Sequence, residues 1–182
     1  MHDAVQRESK NVRENAGILD GSTLGKIEIK GEDALEFMNL IYTNSFTKMK
    51  QGSARYALML GEDGMVKDDG IICKISDQHF IATTTTGGAA TVLGCMEEYA
   101  QTEWPNLKVF MNSITEQYAT FNISGPKTRE IMKKAFPNIN FSNEEFPFMT
   151  FQFHEFNGIP IRILRASFTG ELGYEIYIPS NS

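Results

Sequence analysis

The order of apolar and polar residues along this chain marks out its elements. Residues 3–15 (DAVQRESKNVREN) read as a polar surface helix, with Val5 and Val12 as its only large apolar side chains. Leu24, then Ile27 and Ile29 interleaved with Glu28 and Lys30, predict a half-buried strand that Gly31 ends. In EDALEFMNLIY, residues Ala34, Phe37, Met38 and Ile41 recur at helical spacing, behind acids placed where the helix dipole favours them. Tyr56, Leu58 and Leu60 alternate, Asp63-Gly64 is a tight-turn pair, and Met65-Val66 begins a return. A hairpin over 54–75 is expected, its return strand interrupted at Lys67-Asp68-Asp69-Gly70. HFIATTTT, from His79, is β-branched and strand-like; Gly87-Gly88 breaks it, and AATVLGCMEEYAQ follows as a helix. Residues 107–123 read as strand again.

The pattern repeats. IEIKGEDALEFM (27–38) and FNISGPKTREIM (121–132) match at an offset of 94, aligning Ile29 with Ile123, Gly31 with Gly125, Glu36 with Glu130 and Met38 with Met132. Each copy is strand, glycine turn and helix, and each precedes β-rich sequence, 54–85 and 148–178. Two related α+β halves, about 16–110 and 111–182, are expected to share one core.

Composition narrows the function. The 182 residues are 41% hydrophobic and 22% charged, which is globular and excludes a disordered or low-complexity chain. Seventeen basic against 23 acidic residues give a net charge of −6. That argues against nucleic acid or an anionic membrane as partner, since phosphate contacts need a clustered positive field. Cys73 and Cys95 are too few for a zinc site and lack CxxC spacing, as suits reduced thiols in a cytoplasmic protein. Residues 1–15 lack the apolar segment of a signal peptide, and there is no 18-residue apolar run.

Three segments carry candidate chemistry. Asp68 and Asp69 are adjacent carboxylates inside an apolar strand, where neighbours face opposite ways. One of them can turn inward or into a cleft to orient an amine or hold a developing cation; equally, the pair can stabilise a bulge or turn beside Gly70. Thr83 to Thr86 and Gly87-Gly88 offer hydroxyls and bare N–H groups at a helix start, suited to an anion, to a polar ring edge or to simple capping. In FTGELGYEIYI (168–178), Glu175 lies between Tyr174 and Ile176, so burial would demand a partner such as a planar NH–C–NH₂ edge; a hairpin with incidental acids is the other reading. Phe146, Phe148, Phe151, Phe153 and Phe156 are expected mostly in the core, a minority being free to sandwich a flat ring. The histidines show no metal-ligand spacing.

Taken together, STLGKIEIKG, TNSFTK, ARYALMLGEDGMVKDDG, ATTTTGGAA, SITEQYATFNISGP and SFTGELGYEIYIPS resemble the folate-binding aminomethyltransferase family, typified by the T-protein of glycine cleavage. TLGKI, TTTTGGAA and the stretch from Thr102 to Pro105 look most like the aminomethyltransferase-like part of sarcosine oxidase α subunits. The resemblance implies an α+β fold of duplicated β-α-β motifs with antiparallel or mixed sheets, and tetrahydrofolate as cofactor. It places Asp69 as the second acid of the family's GG-x-x-DD motif, here GMVKDD, beside the reacting folate nitrogens. It implies pterin contacts from Glu175 and Tyr56, and a pocket lined by Leu24, Thr83, Thr85, Phe153 and Phe168. Three departures stand out. The family's D-V-S-H-M reads Asp20 to Leu24 as D-G-S-T-L, without the His and Met that suit a lipoyl-carrier reaction. The Asn of its V-V-N-A strand is Thr85, and the Tyr opening its G-Y-T-G-E motif is Phe168. Family members run well past the equivalent of Ser182, which implies a part of a longer protein. Other sarcosine oxidase subunits are the implied partners, with flavin and NAD held elsewhere in that complex.

Overall fold

The computed structural model describes residues 2–182. They divide into two compact units, Met1–Ser22 with Gln117–Ser182, and Thr23–Glu116. The chain order is α1 (His2–Glu14), β1 (Gly17–Asp20), β2 (Gly25–Lys30), α2 (Ala34–Ile41), β3 (Ala54–Leu60), β4 (Val66–Ser76), β5 (His79–Thr84) and α3 (Ala89–Thr102). Then come β6 (Phe110–Ser113), a 3₁₀ turn at Thr115–Gln117, β7 (Tyr118–Ser124), α4 (Thr128–Ala135), β8 (Thr150–Phe156), β9 (Ile159–Arg165) and β10 (Gly173–Pro179). The class is α+β with two five-stranded sheets, ordered β1-β7-β10-β9-β8 and β3-β4-β5-β2-β6, and every strand pair is antiparallel.

The unit of residues 23–116 is built on β2, whose two isoleucines are buried, against α2. The helical spacing read from sequence holds: Ala34, Phe37, Met38 and Ile41 are the buried positions of α2. Phe46, Met59, Ile72, Phe80, Val92 and Met96 complete this core. The hairpin β3–β4 turns at Asp63-Gly64, where Gly64 takes φ +77° and the Asp63 carboxylate accepts the Met65 N–H at 3.0 Å. β4 is one strand from Val66 to Ser76, and the expected interruption at 67–70 takes the form of a register shift: Met59 pairs with Asp68 and Leu60 with Val66, which leaves Lys67 as an extra residue. Gly70 reads as a breaker in sequence, but it serves the sheet: a Cβ there would lie 1.8 Å from the Thr83 carbonyl oxygen. The single strand expected over 107–123 is two strands, β6 and β7, separated by the 3₁₀ turn.

The other unit packs one face of β7, β9 and β10 against α4 and two stacked phenyl rings. Ile123, Ile161, Ile163, Tyr174 and Ile176 meet Met132, Phe141 and Phe146. Phe141 and Phe146 stack with centroids 5.9 Å apart, and Tyr174 meets both edge-on. The mostly-core expectation for the phenylalanines of 146–156 fails for three of five. Phe146 and Phe151 are buried, whereas Phe148 is 60% exposed, Phe153 61% and Phe156 39%. Phe153 and Phe156 lie on β8, the edge strand of its sheet, and Phe148 lies in the turn before it.

The internal repeat is visible as topology. β2–α2 and β7–α4 match, and their linking glycines share an extended positive φ, +145° at Gly31 and +135° at Gly125. Any Cβ would meet a carbonyl there, Lys108 at 2.0 Å or Asn15 at 2.5 Å. Reading β6-β2-β5-β4-β3 against β1-β7-β10-β9-β8 superposes the two sheets strand for strand. The first strand of each repeat is exchanged: β1 precedes β2 in the chain but pairs with β7, and β6 precedes β7 but pairs with β2.

Candidate functional site

The strand β4 divides its two aspartates. Asp68 points inward, 8% exposed, and is fully engaged. One oxygen accepts the Thr85 hydroxyl at 2.6 Å and the other accepts the Thr85 N–H at 3.1 Å. The Thr85 hydroxyl accepts the Gly88 N–H in turn at 3.0 Å, so Asp68 anchors the turn that opens α3. Tyr42, buried beside Asp68, has its phenol pushed above its usual pKa, first by burial and then by that carboxylate's charge. Asp69 faces the other way, opposite Leu58, and accepts the Tyr56 hydroxyl at 2.9 Å. That bond is the main reason the Tyr56 phenol is raised above its ordinary value. Thr83 flanks the pair, its hydroxyl closing both ways on Ile71, from the Ile71 N–H at 2.8 Å and to the Ile71 carbonyl at 3.2 Å.

Asp69, Tyr56, Thr83, Thr85 and Leu24 all belong to the 23–116 unit. The structure brings Asp69 and Tyr56 together, and it commits the hydroxyls of Thr83 and Thr85 to internal bonds. Leu24 is partly exposed, and its carbonyl accepts the Lys26 ammonium at 2.8 Å. Lys26 is wholly buried, pairs across the sheet with Thr83, and was not singled out from sequence. The sequence gives no signal for it, because alternation along β2 places Lys26 on the same side as the charged Glu28 and Lys30.

Glu175, Phe153 and Phe168 belong to the other unit. Alternation along β10 turns Tyr174 and Ile176 to the apolar core and Glu175 and Tyr177 to the opposite face. That second face is polar and also buried. It holds Thr120, Asn122 and Ser124 from β7, Arg162 from β9, and Glu175 with Tyr177, none above 9% exposed. Glu175 is buried as the strand pattern demands, and Tyr177 donates its hydroxyl to Glu175 Oε2 at 2.5 Å. Across the sheet, Tyr177 pairs with Arg162 and Arg162 with Phe153, so Phe153 lies on the face of Glu175. Phe168 lies between β9 and β10, 77% exposed. Arg162, Tyr177 and Asn122 escaped the sequence reading, although an acid at 175 and period-2 alternation place 177 on the same side.

An outward carboxylate with a phenol on it can steady positive charge on a nitrogen-bearing group, and a buried carboxylate can accept a polarised N–H edge. Both belong to a known scaffold. The model of the GCVT N-terminal domain matches residues 1–182. The chain belongs to the GCVT N-terminal domain family. Within it, the chain is 52% identical over 181 residues to a sarcosine oxidase subunit alpha of Corynebacterium sp. (strain P-1), covering 99% of this chain and 19% of that one. It is 30% identical to an aminomethyltransferase of Chlorobium phaeovibrioides, covering 99% of this chain and 48% of the relative. The glycine cleavage system aminomethyltransferase T of Bartonella henselae shares the GCVT fold, with a TM-score of 0.84 at 23% identity over 97% of this chain and 45% of that one. The chain thus spans about a fifth of the α subunits and half of the aminomethyltransferases it matches. Among the described residues, no helix is long and apolar enough to cross a membrane.

Proposed function

We propose that this chain is the tetrahydrofolate-binding domain of a sarcosine oxidase α subunit. It takes the one-carbon unit of oxidised sarcosine into 5,10-methylenetetrahydrofolate, with flavin and NAD held in other parts of the complex. Identities of 45–52% to three subunits of that name, against 24–31% to the aminomethyltransferases, support this reading over a lipoyl-dependent transferase. So does the Thr23-Leu24 pair where the T-protein has His and Met.

The residues present suit such a ligand. The Glu175 carboxylate offers Oε1, which no donor reaches among the described residues, to a planar NH–C–NH₂ edge. Phe153 and Phe168 are exposed rings available for stacking. When bound, tetrahydrofolate supplies the amine nitrogens that take up the one-carbon unit. Asp69 carries the reading, because it is the one of the two aspartates whose carboxylate is not consumed by the fold. Its negative charge would stabilise cationic character on the incoming one-carbon group and orient the amine that receives it. The Tyr56 hydroxyl on Asp69 holds the carboxylate's direction.

The test is Asp69→Asn in the full-length protein. Flavin reduction by sarcosine should proceed as before, while methylenetetrahydrofolate formation falls on the order of 100-fold, as for loss of one preorganised charge. Formation at the parental rate would make Asp69 structural.

A further inference from the structure

We propose that Tyr177, braced by Arg162, is the positioning residue that turns Glu175 into a reader of one specific group, the exocyclic amine of a 2-aminopyrimidinone ring. This rests on the folate reading above and adds two residues to it.

A carboxylate on a strand can rotate about its terminal bonds, so a lone acid selects weakly between ligands. Glu175 does not have that freedom. The Tyr177 hydroxyl, two residues on and on the same face, donates to Oε2 at 2.5 Å and leaves Oε1 as the presented acceptor. Tyr177 is rigid in turn: its ring is 1% exposed, and the Arg162 guanidinium carbon lies 4.0 Å from its centroid. A second ring, Tyr118, lies 5.9 Å from the same carbon.

Arg162 is an unusual brace. It is 3% exposed, and both Nε and Nη2 are buried with no hydrogen-bond acceptor among the described residues. Burying a guanidinium with idle donors is unfavourable, and a purely structural role would be served better by an apolar side chain. What the guanidinium has is the face of a phenol. A cation there draws electron density from the ring and strengthens the hydroxyl as a donor, while the flat stack fixes the ring. The row guanidinium, phenol, carboxylate therefore ends in one oriented, anionic oxygen. A ligand gains from that oxygen only by placing an N–H against it, so removing the donor from the ligand reveals how well the oxygen is held.

The experiment compares equilibrium dissociation constants of the full-length protein for tetrahydrofolate and for its 2-desamino analogue. The wild-type protein should favour tetrahydrofolate by roughly ten- to a hundredfold, the usual worth of a bond to a buried charged acceptor. In Tyr177→Phe the preference should shrink by about fivefold or more, because Glu175 can swing, while the desamino analogue binds as before. Arg162→Lys keeps the charge but not the plane. It should move the ratio in the same direction, and it decides the matter if Tyr177→Phe does not fold. An unchanged ratio, even with both affinities lowered, would reduce Tyr177 to a packing residue and overturn the proposal. Failure of the wild-type protein to bind tetrahydrofolate would instead sink the folate reading, and is seen before any variant is made.

Discussion

At the scale of single residues, neighbouring acids are told apart by where the pleat sends them. Asp68 closes on Thr85, and Asp69 keeps its carboxylate for the phenol of Tyr56. Asp68→Ala should lower stability by about 1–3 kcal/mol, because the Thr85 N–H and hydroxyl lose the buried, charged acceptor that ties down the turn before α3. For a chain of this size that is a fall in Tm of roughly 2–4 °C per kcal/mol in a thermal melt. Asp69→Asn should leave Tm within a degree or so, since its partner Tyr56 is an exposed side chain. Ligand binding should rank the acids differently. Glu175→Gln replaces one acceptor with a donor and should weaken tetrahydrofolate affinity about ten- to a hundredfold, whereas Asp69→Asn binds nearly normally. Equal dissociation constants, or the reverse order, would place the pterin elsewhere. The adjacency of the acids was legible in sequence, and so was the demand that Glu175 find a partner. That the partner is Tyr177 was not, because the bond depends on side-chain reach along one face of a strand that sequence alone does not show to be buried on both sides.

At the scale of elements, periodicity told most where one face is apolar and least where both are covered. The spacing in α2 gave its buried positions, and the interruption read in β4 is real only at Lys67: Gly70 looks like a break, but the Thr83 carbonyl that excludes a side chain there comes from another strand. The aromatic richness of β8 likewise says nothing of its being an edge. The β2–β5 ladder carries a pH-sensitive cluster. Burial of Glu28 works against its charge, but the ammonium of Lys30 at 2.8 Å and the His79 ring at 2.9 Å outweigh it, and its pKa lies below the ordinary 4.5. A carboxyl that is more acidic in the folded state adds stability above its unfolded pKa and loses it as pH falls through the folded one. Stability measured by urea titration should therefore fall below about pH 4.5, and Glu28→Gln should flatten that acid limb. A limb of unchanged steepness would assign the effect to other carboxylates.

At the scale of the molecule, the repeat at offset 94 announced the duplication, and the sheets bear it out strand for strand. The exchange of first strands was not legible, because β1 and β6 stand in equivalent sequence positions and either pairing satisfies the same apolar pattern. Prolines at positions 18 and 19 should test it. They should speed amide hydrogen exchange in β7, at residues 121–124, and leave β2 protected; faster exchange in β2 would restore the unexchanged pairing. The exchange also sets a timetable for synthesis. A ribosome working at ~5–20 residues per second delivers the whole of the 23–116 unit before its neighbour is half made. Strand β1 leaves the exit tunnel ahead of every other strand of the two units, yet its partner β7 is about a hundred residues behind it. For those seconds the nascent chain carries an edge strand with nothing to pair. Gly17–Asp20 is only four residues long, with Ile18 and Leu19 as its large apolar side chains. Shortness of that kind keeps a waiting edge from recruiting another nascent chain.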